Sequence, residues 1–256
     1  MERFDKQPDN AGRNMCWFTI QVLLVQVLGL TAVIMVAVWM GHFRGGFAWQ
    51  SDPSKEFNYH PVFMIIGMIF LYSDGILAYR VFRNVKKIYI KILHGLIHVG
   101  ALIFSAIGLK AVFDSHNLNI KDGKLSPIPN MYSLHSWMGI ITVVLFGLQW
   151  VGGLTSFLFP GLSMGLKKQY MPKHIFWGIA ILTMAGATSL MGITEKALFL
   201  MNSNVLAYAS KPPEGILMNC LGVVIVTLIS LVVYIVTRPE YKREPSPDEE
   251  HIELVN

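Results

Sequence analysis

The chain has 256 residues, 14% of them charged and 53% hydrophobic, with a mean hydropathy of +0.48. Roughly a quarter of the residues of a soluble protein are charged, so this composition argues against an ordinary soluble fold. The 21 Lys and Arg against 16 Asp and Glu leave a net charge of +5, but the basic residues are scattered over loops instead of forming the single patch that a nucleic acid needs.

A bilayer core about 30 Å thick is crossed by roughly 20 mainly apolar residues in a helix, because the helix satisfies its own backbone groups. Six stretches meet that requirement: residues 15–41, 61–79, 89–113, 132–159, 173–193 and 215–237. The first contains no Asp, Glu, Lys or Arg and has Trp17 and Trp39 near its ends, so it reads as an uncleaved span with interfacial anchors. The expected fold is all-α, a six-helix transmembrane bundle with spans 2 to 5 as a four-helix core. Residues 1–14 form a cytoplasmic segment before it, 15–238 the domain, and 239–256 an acidic, Pro-containing tail expected to be disordered.

With six spans, both termini share a side. That side carries fourteen of the Lys and Arg residues and the other seven, which puts both termini in the cytoplasm. Cys16 and Cys220 fall near opposite faces, too far apart to pair, and neither belongs to a metal-type or CxxCH pattern.

Ionisable groups inside spans are costly and therefore candidates for function. His60 opens span 2, His94 lies in the first turns of span 3, His135 opens span 4 and His174 opens span 5. The topology places His60 and His135 at one depth near the outside, and His94 and His174 at another near the cytoplasm. Two facing imidazoles make a poor zinc site but fill both axial positions of a haem, which brings four nitrogens of its own. Without CxxCH such haems would be non-covalent, of b type, and two at different depths would carry electrons across the membrane. A single histidine at a span boundary is ordinarily an interfacial or packing residue; four, paired by side, argue otherwise. His98, one turn beyond His94, competes with it for the ligand position, and spacing alone does not choose. Asp74 in span 2 is either a proton-handling group or a solvated or hydrogen-bonded one.

If span 3 extends back to Lys87, then Lys87, Lys91, His94 and His98 form one stripe. Lys87 and Lys91, with Arg80 and Lys167 or Lys168 from neighbouring loops, would make a cationic mouth for haem propionates or an anionic reductant; the alternative is that these residues mark orientation or meet anionic lipid. On the outer side, Asp114, His116 and Asn117 end span 3, and Asn130, Tyr132 and Ser133 lead into His135. They suit a small polar substrate, with His116 as proton acceptor, or else plain loop capping.

The strings FNYHP (57–61), HGLIH (94–98), NMYSLHSW (130–137) and MPKH (171–174) resemble the haem-helix signatures of the cytochrome b-561 family, and the likeness runs from about residue 27 to 243. RGGFAW (44–49), YRVFRN (79–84) and PPEG (212–215) look closest to the chromaffin-granule type. The resemblance implies two haem b groups on His60/His135 and His94/His174, with His94 rather than His98 as ligand, and ascorbate as cytoplasmic electron donor. It further implies a homodimer, and either monodehydroascorbate in a secretory vesicle or, as in lysosomal and duodenal relatives, ferric iron as acceptor. Its cytoplasmic ascorbate site maps onto Arg80, Lys87, Lys91 and Lys167, where many relatives have Arg in place of Lys167, and its outer site onto His116, Asn117 and Tyr132. The competing reading from another class is a haem-free, proton-coupled transporter or channel whose histidines relay protons.

Overall fold

The computed structural model describes residues 9–200 and 205–243. They form six helices long and apolar enough to cross a membrane: Asn14–Phe43, Pro53–Val81, Lys87–Asn117, Leu134–Phe157, Met164–Leu200 and Pro213–Thr237, spans 1 to 6 below. This is a multi-pass membrane protein, all-α apart from one hairpin in the loop after span 3. There β1 (Ile120–Lys121) pairs antiparallel with β2 (Lys124–Leu125). Asp122 and Gly123 join the strands with φ of 53° and 73°, the left-handed conformation that an Asp-Gly pair supplies in a two-residue turn.

Several helices outrun their apolar stretches. Span 3 begins at Lys87, so the basic stripe lies on the helix, and span 5 has 37 residues. Charged side chains at helix ends place their heads outside the hydrocarbon while the backbone stays helical. His174 therefore does not open its span: it sits inside a helix that starts at Met164 and continues through Pro172, which a membrane helix tolerates when its neighbours re-satisfy the freed carbonyl. Span 2 is interrupted differently, by a π-helical stretch at Ile65–Leu71 whose extra residue shifts the register between His60 and Gly75.

Span 2 packs on span 3, span 4 on span 5, and spans 1 and 6 against each other, with span 6 also against span 5. The shared core runs through Val25, Ala32, Ile69, Leu182, Ile225 and Val232. Close approach depends on small residues: a Cβ at Gly67 would meet the Ala101 carbonyl at 2.8 Å, and one at Gly186 would run into the Ile229 side chain. Leu23, Val27, Ile34, Leu96, Leu148 and Val223 point outward, more than half exposed, as a lipid-facing surface requires.

Cys16 and Cys220 are both free and exposed. The expected tail at 239–256 starts with a 3₁₀ turn, Pro239–Tyr241, whose Tyr241 is buried with its ring 4.9 Å from that of Phe18. Its first residues therefore dock on span 1, and 244–256 lie outside the described residues, as do residues 1–8 at the other terminus.

Candidate functional site: two facing histidine pairs

The register of the bundle brings the four expected histidines together in twos. The rings of His60 and His135 are 6.1 Å apart between centroids, and those of His94 and His174 are 6.2 Å apart. Two metal–nitrogen bonds of about 2.0 Å, plus about 1.1 Å from each nitrogen to its ring centre, span roughly 6.2 Å. Both pairs are thus at the separation that one iron between two imidazoles requires. Counting along span 2 from His60 to Gly75, which touches the second pair, the pairs lie roughly 20 Å apart along the bundle. One is at the end where span 1 begins and span 6 finishes, the terminal end below, and the other at the far end.

Each ring is oriented by the neighbouring helix. The Nδ1 of His60 lies 3.1 Å from the Gly108 carbonyl, that of His94 2.7 Å from the Gly75 carbonyl, and that of His135 3.0 Å from the Thr188 carbonyl. A carbonyl can only accept, so Nδ1 carries the proton in these three and the Nε2 lone pair is free for a metal. His174 differs: Gln149 Nε2 stands 3.0 Å from its Nδ1 and also donates to the His174 carbonyl at 2.6 Å. Glycines supply the room. A Cβ at Gly192 would meet the His135 ring at 2.6 Å, and one at Gly153 the His174 ring at 3.1 Å.

Among the described residues, no group of three or more His, Cys, Asp or Glu side chains converges on one point. A bare metal ion would find two protein ligands at either pair, too few for zinc, whereas a porphyrin supplies the rest. The residues therefore fit haem.

His98 is buried, with Nδ1 lacking a hydrogen-bond partner. Its ring lies 4.5 Å from His94, 4.9 Å from Tyr72 and 5.5 Å from Phe146, and it covers Gly75, where a Cβ would meet it at 2.6 Å. It packs between the pairs without a histidine of its own across the bundle. Asp74 accepts a 2.7 Å hydrogen bond from Gln26 Nε2, the hydrogen-bonded alternative of the two that its position allows.

At the terminal end, Lys91 Nζ donates to the Phe157 carbonyl at 3.1 Å, and Lys167 Nζ lies against Gly161, so both reach the turn after span 4. Lys87 stands one turn outside Lys91 on the same helix. Arg80 turns the other way: its guanidinium donates to the carbonyls of Val236 and Arg238, capping span 6. Phe157 and Tyr170 stack on one another and flank His174.

At the far end, His60 and His135 border a cavity of about 470 Å³ that also reaches His116, Asn130, Tyr132, Glu195 and Lys196. His116 Nδ1 is 2.9 Å from Asn130 Oδ1, and Asn130 Nδ2 donates to Asn117 Oδ1 at 2.9 Å. Asn130, one of the polar groups that lead into His135 in the sequence, is the link between His116 and Asn117. Lys196 was missed, since one lysine at the end of an apolar run looks like a topology signal.

A bundle of membrane helices holding imidazoles face to face at two depths defines a membrane cytochrome. The family described as eukaryotic cytochrome b561 matches residues 59–200. The chain is 44% identical over 233 residues to the transmembrane ascorbate-dependent reductase CYB561 of Pongo abelii, covering 91% of this chain and 88% of the relative. The same protein of Homo sapiens is 43% identical with the same coverage. The lysosomal membrane ascorbate-dependent ferrireductase CYB561A3 of Bos taurus is 38% identical over 90% of this chain and 84% of its own length. This chain belongs to the cytochrome b561 family, and membership implies haem b as cofactor.

Proposed function

We propose that the protein is a transmembrane oxidoreductase that takes single electrons from ascorbate at the terminal end and delivers them to monodehydroascorbate at the far end. His94 and His174 would hold one haem b, His60 and His135 a second. Held between two imidazoles of the protein, such a group would supply one-electron transfer. The observation that carries this reading is the pair of ring separations, 6.1 and 6.2 Å, at opposite ends of one bundle.

The residues divide the rest of the work. Lys87, Lys91 and Lys167 collect positive charge where ascorbate, an anion at neutral pH, must dock. Arg80 supports that end through its cap on span 6. The dry layer of Tyr72, Phe146 and His98 separates the two pairs and excludes water between them. At the far end Tyr132 lines the entrance, and Asn117 orients Asn130, which in turn orients His116 to exchange a proton as the acceptor is reduced. The same reading has both termini in the cytoplasm and the protein as a homodimer in a secretory-vesicle membrane.

Ferric iron is the second acceptor to consider, because a ferrireductase is among the relatives. Proteoliposomes with ascorbate presented to the terminal side decide between them. Reduction of monodehydroascorbate outside at a higher kcat/KM than ferric citrate is expected; the reverse order makes the protein a ferrireductase. Transfer to neither, with a colourless protein, would leave a transporter or channel.

A further inference from the structure

Lys196 lies near the far end of span 5 and lines the cavity that borders His60 and His135. It is only partly exposed. Among the described residues no carboxylate comes within 4.0 Å of its ammonium group, whose nitrogen stands 4.0 Å from the centroid of the Phe57 ring, over its face. A cation–π contact of this kind fixes where the nitrogen sits but supplies no counter-ion.

The charges around Lys196 are already paired or hydrogen-bonded, Arg44 and Glu214 behind the cavity wall and Glu195 within it. Arg44 forms an ion pair with Glu214 at 3.0 Å, and Trp39 Nε1 donates to the same carboxylate at 2.7 Å. Glu195 accepts from Ser133 Oγ at 3.1 Å, at the N-terminus of span 4, where the helix dipole favours a carboxylate. Lys196 is thus a half-buried cation facing a space large enough for a ligand, in a wall whose remaining charges have partners. Holding such a charge half-buried is costly unless something anionic meets it.

We infer that Lys196 is the anion anchor of this cavity, holding a carboxylate or enolate oxygen of whatever fills it. This chemistry has two sources, the anionic electron acceptor or a propionate of the haem on His60/His135, and in either case the inference rests on the function proposed above.

The test compares the reconstituted holoprotein with K196Q and K196R. Two quantities are read: the KM for monodehydroascorbate against that for cationic hexaammineruthenium(III), and the midpoint potential of the far-end haem followed by its visible band. If the anion is the acceptor, K196Q raises KM for monodehydroascorbate roughly tenfold or more, as losing a charge-assisted hydrogen bond does, without raising that for the ruthenium complex, and K196R restores it. If the anion is a propionate, KM stays and the midpoint potential falls, because the lost cation no longer favours the added electron. K196Q with full haem content and wild-type values of both quantities overturns the inference while leaving the function standing. A wild-type protein without haem refutes the function itself, and the inference with it.

Discussion

At the far end, His60 and His135 border an open cavity with a polar wall, whereas at the terminal end His94 and His174 are wedged among Tyr79, His98, Phe157 and Tyr170. Each pair consists of two imidazoles hydrogen-bonded to a neighbouring helix, but the surroundings differ. At the far end a small molecule can enter beside the rings. At the terminal end the charges stand on helix ends and in turns, and Lys91 reaches the last carbonyl-bearing turn of span 4. The far pair borders an open cavity, and the terminal pair stands beneath a group of basic side chains.

The most damaging change to that pairing is the loss of a ligand. H60A or H135A should remove the far-end haem and abolish transfer across the membrane while ascorbate still reduces the remaining haem, read from the amplitude of the reduced visible band. An unchanged haem content in either variant would break the pairing. A smaller but still large effect is expected without touching a ligand: Gly192→Ala forces a methyl group into the His135 ring, so far-end haem should be lost on purification. Gly147→Ala, with nothing within 4 Å of the added carbon, should retain both.

Gln149→Leu sharpens the contrast at the other end. His174 is the one ligand steered by a side chain, and removing such a partner ordinarily costs 10- to 100-fold in metal-site affinity; weaker haem retention confined to the terminal-end band is expected. Replacing Lys87 and Lys91 with Gln should slow reduction by ascorbate several-fold more than reduction by an uncharged reductant, and equal slowing would remove their binding role. Last, Glu214→Gln should leave both haems in place but cost about 1–3 kcal/mol of stability, because the neutral amide removes the charge of the ion pair with Arg44 and one of its two acceptor oxygens, measurable as a lower thermal midpoint at unchanged haem content.

The spans, their order and the histidine pairs were legible because each rests on a local property: apolar length, helical direction and the depth of a residue in its run. What surrounds the histidines was not. Gly192 and Thr188 matter to His135 because span 5 lies beside span 4 at that register, which no spacing in the sequence states. Arg80 read as part of the cationic mouth, but its guanidinium caps span 6, more than 150 residues away in the chain. His94 and His98, one turn apart in span 3, have different surroundings that their spacing does not reveal: His94 faces His174, while His98 faces Gly75, Tyr72 and Phe146. Helix ends were misjudged where charged residues continue a helix past its apolar stretch, as at Lys87 and across Pro172. The π-helical segment at Ile65–Leu71 leaves no sign in an unbroken apolar run.

The central claim is that each end of the bundle grips its own haem, and the ratio of haem to polypeptide in the purified protein tests it most directly. Two b haems per chain, both reducible by dithionite with a sharp visible band, are the expected result. One haem per chain, or none, contradicts it.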